Sequence, residues 1–183
     1  MNKRFIGLSF HIDTNRINAR QKLENMNQLE KWSDNGVIRL EKSEVVLHEL
    51  LVGSNSQRNK KAISGIYSMT YAESPEEKQK LIKIEEILFP KGAINDNQKN
   101  DVEIVFNAYK YCHILITNDG DSKKQPGGIL GNAERLKDEV SIIVMTDQEA
   151  VTLVEKRIKN RNKNCRAVSK RTGMPLPNWI ESD

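Results

Sequence analysis

Cysteines, aromatic residues and long apolar runs are all scarce in this sequence, and each shortage excludes a class of protein. The chain has 183 residues and 2 cysteines, Cys112 and Cys165, whose separation matches no metal-binding spacing. Neither a disulfide framework nor a cysteine zinc site is therefore expected. Aromatic residues make up 5% of the chain, so few side chains besides Trp179 are available to stack on nucleic-acid bases. No run approaches the roughly 18 apolar residues that span a bilayer, and the N-terminus has no signal-peptide pattern. We expect a cytoplasmic protein.

The apolar and charged fractions predict a folded domain with a mildly basic surface. Hydrophobic residues make up 37% and charged residues 30% of the chain, with a formal net charge of +4 and a pI near 9.0. A chain of this length buries a substantial core, and its basic excess fits a polyanionic partner without demanding one. We expect a domain over residues 1–158 and a basic C-terminal extension over residues 159–183.

Short β-compatible segments alternate with amphipathic helical patterns along the chain. The predicted strands are 4–12, 37–40, 113–116 and 140–145. The predicted helices begin near Leu23, Ser43, Ser74, Asn100, Asn132 and Thr146, and the last of them continues through Ile158. Residues 53–71 are predicted to be a loop or a loosely held helical insertion, and 92–99 a second loop. Because parallel strands need crossover connections, this alternation predicts an α/β fold with a parallel sheet covered on both faces.

Four acidic residues, Asp13, Glu49, Asp101 and Asp119, are expected to meet at one end of this sheet. Asp13 and Asp119 follow the two most apolar strands, while the other two lie on helices that we expect to enter from the same end. Open parallel sheets bind ligands beyond the carboxyl ends of their strands. Carboxylates packed together raise one another's pKa unless a cation lies among them. Oxygen ligands without cysteine or histidine favour Mg²⁺ or Mn²⁺ over zinc.

At these positions the chain resembles the PIN-domain nucleases, a family that includes the VapC-type toxins of toxin–antitoxin pairs. The matching motifs, in the family's order, are Ile12-Asp13-Thr14-Asn15, Ser43 to Leu50, Asp101 with Ala108, and Leu115-Ile116-Thr117-Asn118-Asp119. Each motif is short, but the four occur in order and with suitable spacing over roughly residues 4 to 155. The regions from Gly53 to Lys99 and beyond Ile158 are longer than in the small toxins.

This resemblance implies a three-layer αβα PIN-like fold and a metal-dependent endonuclease that acts on single-stranded RNA. It implies that Asp13, Glu49, Asp101 and Asp119 are the acidic quartet that holds Mg²⁺ or Mn²⁺. It allows a protein inhibitor of the antitoxin kind and a homodimer as partners, and a toxin, a defence effector or an RNA-processing enzyme as the role.

Further residues are assigned supporting parts in this hypothesis. We expect Asn15 and Thr117 to orient the carboxylates or a water molecule, and Asp121 to add an outer ligand. Water activated by the metal ion would be the nucleophile, which predicts products with 5′-phosphate and 3′-hydroxyl ends. The candidate contacts to substrate phosphates are Lys156, Arg157, Lys159, Arg161, Lys163 and Arg166. An equally weighted interpretation makes this basic stretch a solvated helix end with a frayed tail.

Each acid also has a purely local explanation, and two other functions stay open. Asp13 could cap a helix, Glu49 could be a solvated surface residue, Asp101 could favour the helix dipole and Asp119 could belong to a turn. A phosphatase of the haloacid dehalogenase type also places an aspartate after its first strand. That family needs Asp-x-Asp, and Asn15 occupies the second position here. The other alternative is a non-catalytic PIN-like module that binds RNA or a protein.

Overall fold

The computed structural model describes residues 4–17, 22–46, 66–68, 71–120 and 127–180. Within them the strands are β1 Ser9–Ile12, β2 Arg39–Ser43, β3 Ile66–Ser68, β4 Ile114–Ile116 and β5 Ile143–Met145. The helices are α1 Glu24–Asp34, α2 Pro75–Leu88, α3 Asp96–Asn107, α4 Gly128–Gly131, α5 Ala133–Val140 and α6 Asp147–Thr172. A 3₁₀ turn over Thr14–Arg16 follows β1, and a π-helical turn over Ala108–Cys112 leads into β4.

The strands form one parallel sheet in the order β3-β2-β1-β4-β5. Right-handed crossovers place the helix of a β1–α1–β2 unit and that of a β4–α5–β5 unit on opposite faces, because the two units run in opposite directions across the sheet. The packing agrees, since α1 packs against α6 while α2 packs against both α3 and α5. The expected α/β fold, a central parallel sheet between two helical layers, is confirmed.

The reversal of strand order falls between β1 and β4, and these two strands form the centre of the core. Phe10, Leu115 and Ile116 are 0% exposed and Ile12 is 3% exposed. Strands covered on both faces are apolar along their whole length, which is why these two segments stand out in the sequence. Open parallel sheets bind ligands beyond the carboxyl ends of the strands on either side of such a reversal, and we call the position beyond the carboxyl ends of β1 and β4 the crevice.

Local signals account for the helix ends nearest this core. The apolar side of α1 buries Met26, Leu29 and Trp32, and the chain leaves the helix through Gly36 at a φ of 69°. That left-handed conformation favours glycine. The start of α2 is the predicted capping box, in which the Ser74 hydroxyl accepts from the Glu77 amide and the Glu77 carboxylate accepts from the Ser74 amide. A helical turn begins after Ser43, whose hydroxyl accepts from the Val46 amide at 3.4 Å.

Several predicted element bounds are wrong, and the start of α3 matters most for the candidate site. Asn95 caps this helix by accepting from the Gln98 amide at 3.0 Å, and the Gln98 side chain accepts from the Ile94 amide at 2.8 Å. Because this reciprocal cap starts α3 at Asp96 rather than near residue 100, Asp101 lies in the second turn and not the first.

The other differences concern strands. β1 and β5 are shorter than predicted and β2 lies further along the chain. β3 forms inside the region predicted to be a loop or helical insertion, because an edge strand needs only one paired neighbour, here β2. The rest of that region lies outside the described residues.

α6 is longer than predicted and continues through the expected domain boundary at residue 158. It opens with the predicted capping box of Thr146 and Glu149 and runs without interruption to Thr172. It stops at Gly173, where φ is 70°. Among the described helices, none combines the length and apolarity needed to cross a membrane.

Candidate active site at the carboxyl ends of the central strands

The hydroxyl of Thr117 joins the ends of the two central strands. Ile12 pairs with Ile116 in the parallel register, and the amide of Asp13 donates to the carbonyl of Ile116 at 3.0 Å, so Asp13 and Thr117 come next to each other. The Thr117 hydroxyl donates to Oδ2 of Asp13 at 2.5 Å and accepts from the amide of Asp119 at 2.9 Å. One buried hydroxyl therefore holds a carboxylate of one strand end and the backbone of the other.

Asn15 forms the second support of the Asp13 carboxylate. Its Nδ2 donates to Oδ2 of Asp13 at 2.6 Å and to Oγ1 of Thr117 at 3.2 Å. Its Oδ1 accepts from the amide of Asn118 at 3.1 Å. Asp13 is 5% exposed and Thr117 is 0% exposed, and buried polar groups are costly unless they are hydrogen-bonded. The predicted orienting role of Asn15 and Thr117 agrees with these contacts.

Asp119 is held by the backbone of the first turn of α4. Its Oδ2 accepts from the amide of Ile129 at 2.8 Å, and its carbonyl accepts from the amide of Leu130 at 2.9 Å. Gly128, the residue before Ile129, has a φ of 49°. A Cβ on Gly128 would lie 2.7 Å from Oδ2 of Asp119 and closer still to the carbonyl of Gly120. Only glycine lets the two segments approach this closely.

Arg16 and Asp147 complete the network, and the sequence analysis did not single out either residue. Nε of Arg16 donates to the carbonyl and to Oδ1 of Asn15, each at 3.0 Å. Its Nη1 lies 3.3 Å from Oδ2 of Asp147, and the two side chains are only 15% and 13% exposed. This pair ties the turn after β1 to the first turn of α6. The available signals were the position of Arg16 directly after the Asp13 motif and that of Asp147 at the start of the last helix.

The remaining predicted residues are not all described. Glu49 and Asp121 lie outside the described residues, and Asp101 is half-buried in α3. Across residues 4–17, 22–46, 66–68, 71–120 and 127–180, no three Asp, Glu, His or Cys side chains form a group that could hold a metal ion. The structure thus brings Asp13 and the Asp119 segment together at one crevice, while Asp101 does not complete a three-ligand group with them.

The donor chemistry of the two crevice carboxylates fits a hard divalent cation. Carboxylate oxygens are the ligands that Mg²⁺ and Mn²⁺ prefer. One oxygen of Asp13 and one of Asp119 accept hydrogen bonds from the protein, and such contacts orient the ligands of metal sites. Asp13 and Asp119 could therefore each give an oxygen ligand to such an ion, whereas Glu49 and Asp101 stay predicted ligands.

Neither His11 nor Cys112 is suited to acid–base or nucleophilic chemistry. His11 in β1 is 0% exposed, and neither ring nitrogen has a hydrogen-bond partner among the described residues. Burial lowers the pKa of His11 to about 3, so its ring is neutral at pH 7 and is not a general base. Burial and the nearby Glu41 carboxylate raise the pKa of the Cys112 thiol, which makes it a poor nucleophile. His113 stacks edge-on against Tyr109, and His48 lies outside the described residues.

The predicted phosphate-contacting residues all lie on α6, between Lys156 and Arg166. Lys156, Arg157, Lys159, Lys163 and Arg166 are exposed. Arg161 instead packs under the C-terminal segment, donating to the carbonyl of Arg4 at 2.5 Å with its guanidinium 4.3 Å from the centre of the Trp179 ring. The described part of this stretch is helical to Thr172 and then folds back.

Comparison with known proteins adds little to these observations. No protein-family model matches the chain, and no curated protein is significantly similar to it. Seven chains of solved structures match, among them a chain in the crystal structure of VapBC2 from Rickettsia felis bound to a DNA fragment from their promoter. That chain is 18% identical, with a TM-score of 0.48, and the match covers 76% of this chain and 98% of that chain. Because this similarity is too low to imply a shared activity, the functional inference depends on the crevice itself.

Proposed function

We propose that this chain is a metal-dependent endonuclease that cleaves single-stranded RNA at the crevice between β1 and β4. The observation that carries the proposal is the Thr117 hydroxyl, which holds both the Asp13 carboxylate and the backbone of Asp119 where the strand order reverses. A threonine that only closed a turn would not need to meet a buried carboxylate from a segment about a hundred residues away. The four motifs quoted above, found in family order, support the same function.

Each residue has a defined part in this proposal. Asp13 and Asp119, with the predicted Glu49 and Asp101, hold Mg²⁺ or Mn²⁺, which when bound activates a water molecule and offsets charge on the leaving oxygen. Thr117 and Asn15 keep the Asp13 carboxylate in one orientation. The amide of Ile129 does the same for Asp119.

The two alternatives are less well supported by the contacts of the crevice. In a phosphatase of the haloacid dehalogenase type, the position of Asn15 would carry an acid. Here its amide nitrogen donates to Asp13 and to Thr117, which is the part of an orienting group rather than of a proton donor to a leaving group. A non-catalytic module would not need the Asp13 and Asp119 carboxylates to be held by hydrogen bonds at the ends of neighbouring strands.

Cleavage of a labelled single-stranded RNA in the presence of Mn²⁺ tests the proposal directly. We expect Asp13→Asn and Asp119→Asn each to slow cleavage by about 100-fold or more, because each removes a charged ligand. Asp138→Asn, an exposed aspartate in α5, is the matched control and should cut like wild type. Products should carry 5′-phosphate and 3′-hydroxyl ends. A 2′,3′-cyclic phosphate, or a rate indifferent to EDTA and to both crevice variants, would contradict the proposal.

We also propose a cellular role for this activity. We propose a toxin or defence effector that acts on RNA in the cytoplasm and is controlled by an antitoxin-like protein inhibitor; a homodimer stays a prediction. Induced expression in a bacterial host should arrest growth, and Asp13→Asn should abolish the arrest at equal protein level. Growth arrest by both proteins would contradict a catalytic toxin. A single-stranded DNA of the same sequence as the RNA tests the choice of RNA.

A further inference from the structure

Five basic residues form a continuous stripe along α6 from Lys156 to Lys170. They are Lys156, Lys159, Lys163, Arg166 and Lys170, and their spacing of three, four, three and four residues returns to the same side of the helix at each turn. All five are exposed. With a rise of about 1.5 Å per residue, the stripe is about 21 Å long.

The stripe is not explained by the stability of the helix. Residues 156–172 contain no acidic residue, so like charges meet at each three- or four-residue step, which destabilises a helix. Attraction to the helix dipole accounts for basic residues only in the last turn, and the stripe begins several turns earlier. Lys156, Lys159, Lys163 and Lys170 form no ion pair within the described residues.

The first part of the helix that carries the stripe is attached to the rest of the protein. At its start, Asp147 pairs with Arg16 beside the crevice, and the Gln148 side chain accepts from Asn25 at 3.3 Å. Near its middle, Arg161 bonds to the carbonyl of Arg4 and contacts the ring of Trp179. Near its end, the Ser169 hydroxyl donates to the carbonyl of Met174 at 2.6 Å, which is a contact local to the helix end. The part of the stripe that precedes Arg161 is therefore held in place before a partner arrives, which lowers the entropy lost on binding.

We propose that this stripe binds the phosphodiester backbone of a single-stranded nucleic acid as it passes along α6 from the crevice. A regular row of exposed cations, whose four lysines form no ion pair within the described residues, complements a regular row of phosphates, and such contacts release counterions. Lys156 lies about 14 Å along the helix from Asp147, so a strand that reaches the crevice can reach the stripe. The inference deepens the proposed nuclease function and relies on it for the direction of the strand.

Fluorescence anisotropy of a labelled single-stranded RNA, in EDTA so that nothing is cut, tests the stripe apart from catalysis. Binding should weaken steeply as salt rises. Lys159→Gln/Lys163→Gln should reduce the slope of log affinity against log salt by about 1.4, since each single-strand phosphate contact contributes about 0.7. The matched control is Lys78→Gln/Lys137→Gln, which removes the same charge from exposed positions of α2 and α5 that lie off the stripe and outside the predicted phosphate contacts. This control should keep the wild-type slope.

The outcomes separate the stripe from the nuclease. An equal loss of slope in the stripe variant and in the control would contradict the proposed stripe. It would show that RNA binding depends on net charge and not on the position of these lysines. Binding of vesicles of phosphatidylserine and phosphatidylcholine without binding of RNA would overturn it too. DNA of the same sequence should show the same loss of slope, since the contacts are to phosphates. Wild-type protein that binds through the stripe but never cuts would refute only the nuclease, whereas cutting with an unchanged slope in the stripe variant would refute only the stripe.

Discussion

Polar side chains are buried and hydrogen-bonded to one another at the crevice, whereas those of the basic stripe on α6 are exposed to solvent. At the crevice, the side chains of Asp13, Asn15 and Thr117 are linked to one another by hydrogen bonds of 2.5 to 3.2 Å. Along α6, lysines such as Lys159 and Lys163 extend into solvent without ion pairs in the described part of the chain. The first arrangement fixes positions, because buried hydrogen bonds are directional. The second creates a field, which acts over about 10 Å and weakens with salt.

Among the substitutions that compare the two regions, Thr117→Val is expected to have the largest effect, because it removes the shared hydroxyl and keeps the size of the side chain. Asp13 and the Asp119 amide lose one partner each. Loss of a group that orients metal ligands costs about 10- to 100-fold in metal affinity or activity. We expect that loss in Mn²⁺ affinity, measured by calorimetry, and in cleavage rate, with the salt dependence of RNA binding unchanged.

The control for this variant is Thr117→Ser, which restores the hydroxyl and should recover most of the Mn²⁺ affinity. If Thr117→Val altered the salt dependence as strongly as the stripe variant does, the division between a positioning region and a field-generating region would be wrong.

Gly128→Ala and Gly173→Ala compare the two regions through the same kind of substitution. Both glycines have positive φ, 49° and 70°, so alanine is strained by about 1 kcal/mol at each. At Gly128 the new methyl group also meets Asp119 and the carbonyl of Gly120, whereas at Gly173 it meets open space. We expect chemical denaturation to show a loss of about 2 kcal/mol or more for Gly128→Ala and about 1 kcal/mol for Gly173→Ala.

Cleavage should respond in the same way, falling in Gly128→Ala because Asp119 is displaced and staying at the wild-type rate in Gly173→Ala. Equal losses of stability and rate in both variants would show that the close approach of Gly128 at the start of α4 does not position Asp119.

The smallest effect near neutral pH is the effect of His11, two residues before Asp13, on the free energy of unfolding. Burial lowers the pKa of His11 from 6.5 to about 3, so the unfolded chain binds a proton in this range that the folded chain does not. The free energy of unfolding is therefore unaffected above pH 6.5 and falls as the pH drops towards 3, by at most about 1.4 kcal/mol per pH unit.

His11→Phe, an apolar ring of similar size, should flatten this acid limb between pH 7 and 5. It should also raise stability at pH 7, since neither ring nitrogen has a partner among the described residues. Thermal unfolding of the two proteins over this range measures the difference, and parallel pH profiles would contradict a buried neutral histidine.

Local chemistry was enough to predict the elements around the site. The apolar runs before Asp13 and Thr117, the capping boxes at Ser74 and Thr146, and the left-handed stop at Gly36 all act within a few residues, which a linear pattern records. The start of α3 was misplaced because Asn95 and Gln98 form a cap as effective as the one expected nearer residue 100. β3 could not be found because an edge strand of three residues has too little apolar pattern.

The candidate site was predictable only in its residue types. Asp13, Asn15, Thr117 and Asp119 could be selected as carboxylates and orienting groups, but their hydrogen bonds could not. Arg16, Asp147 and Gly128 were missed because each matters through a partner distant in sequence or through a close approach of backbone.

The sequence by itself determined the alternation of strands and helices, the apolar character of β1 and β4 and the row of cations in α6, because these depend on spacing along one segment. Only the tertiary structure decided that β1 and β4 are neighbours, that Thr117 meets Asp13, and that α6 starts beside the crevice. Strand order depends on how all the crossover connections pack together, so no single segment of the sequence specifies it.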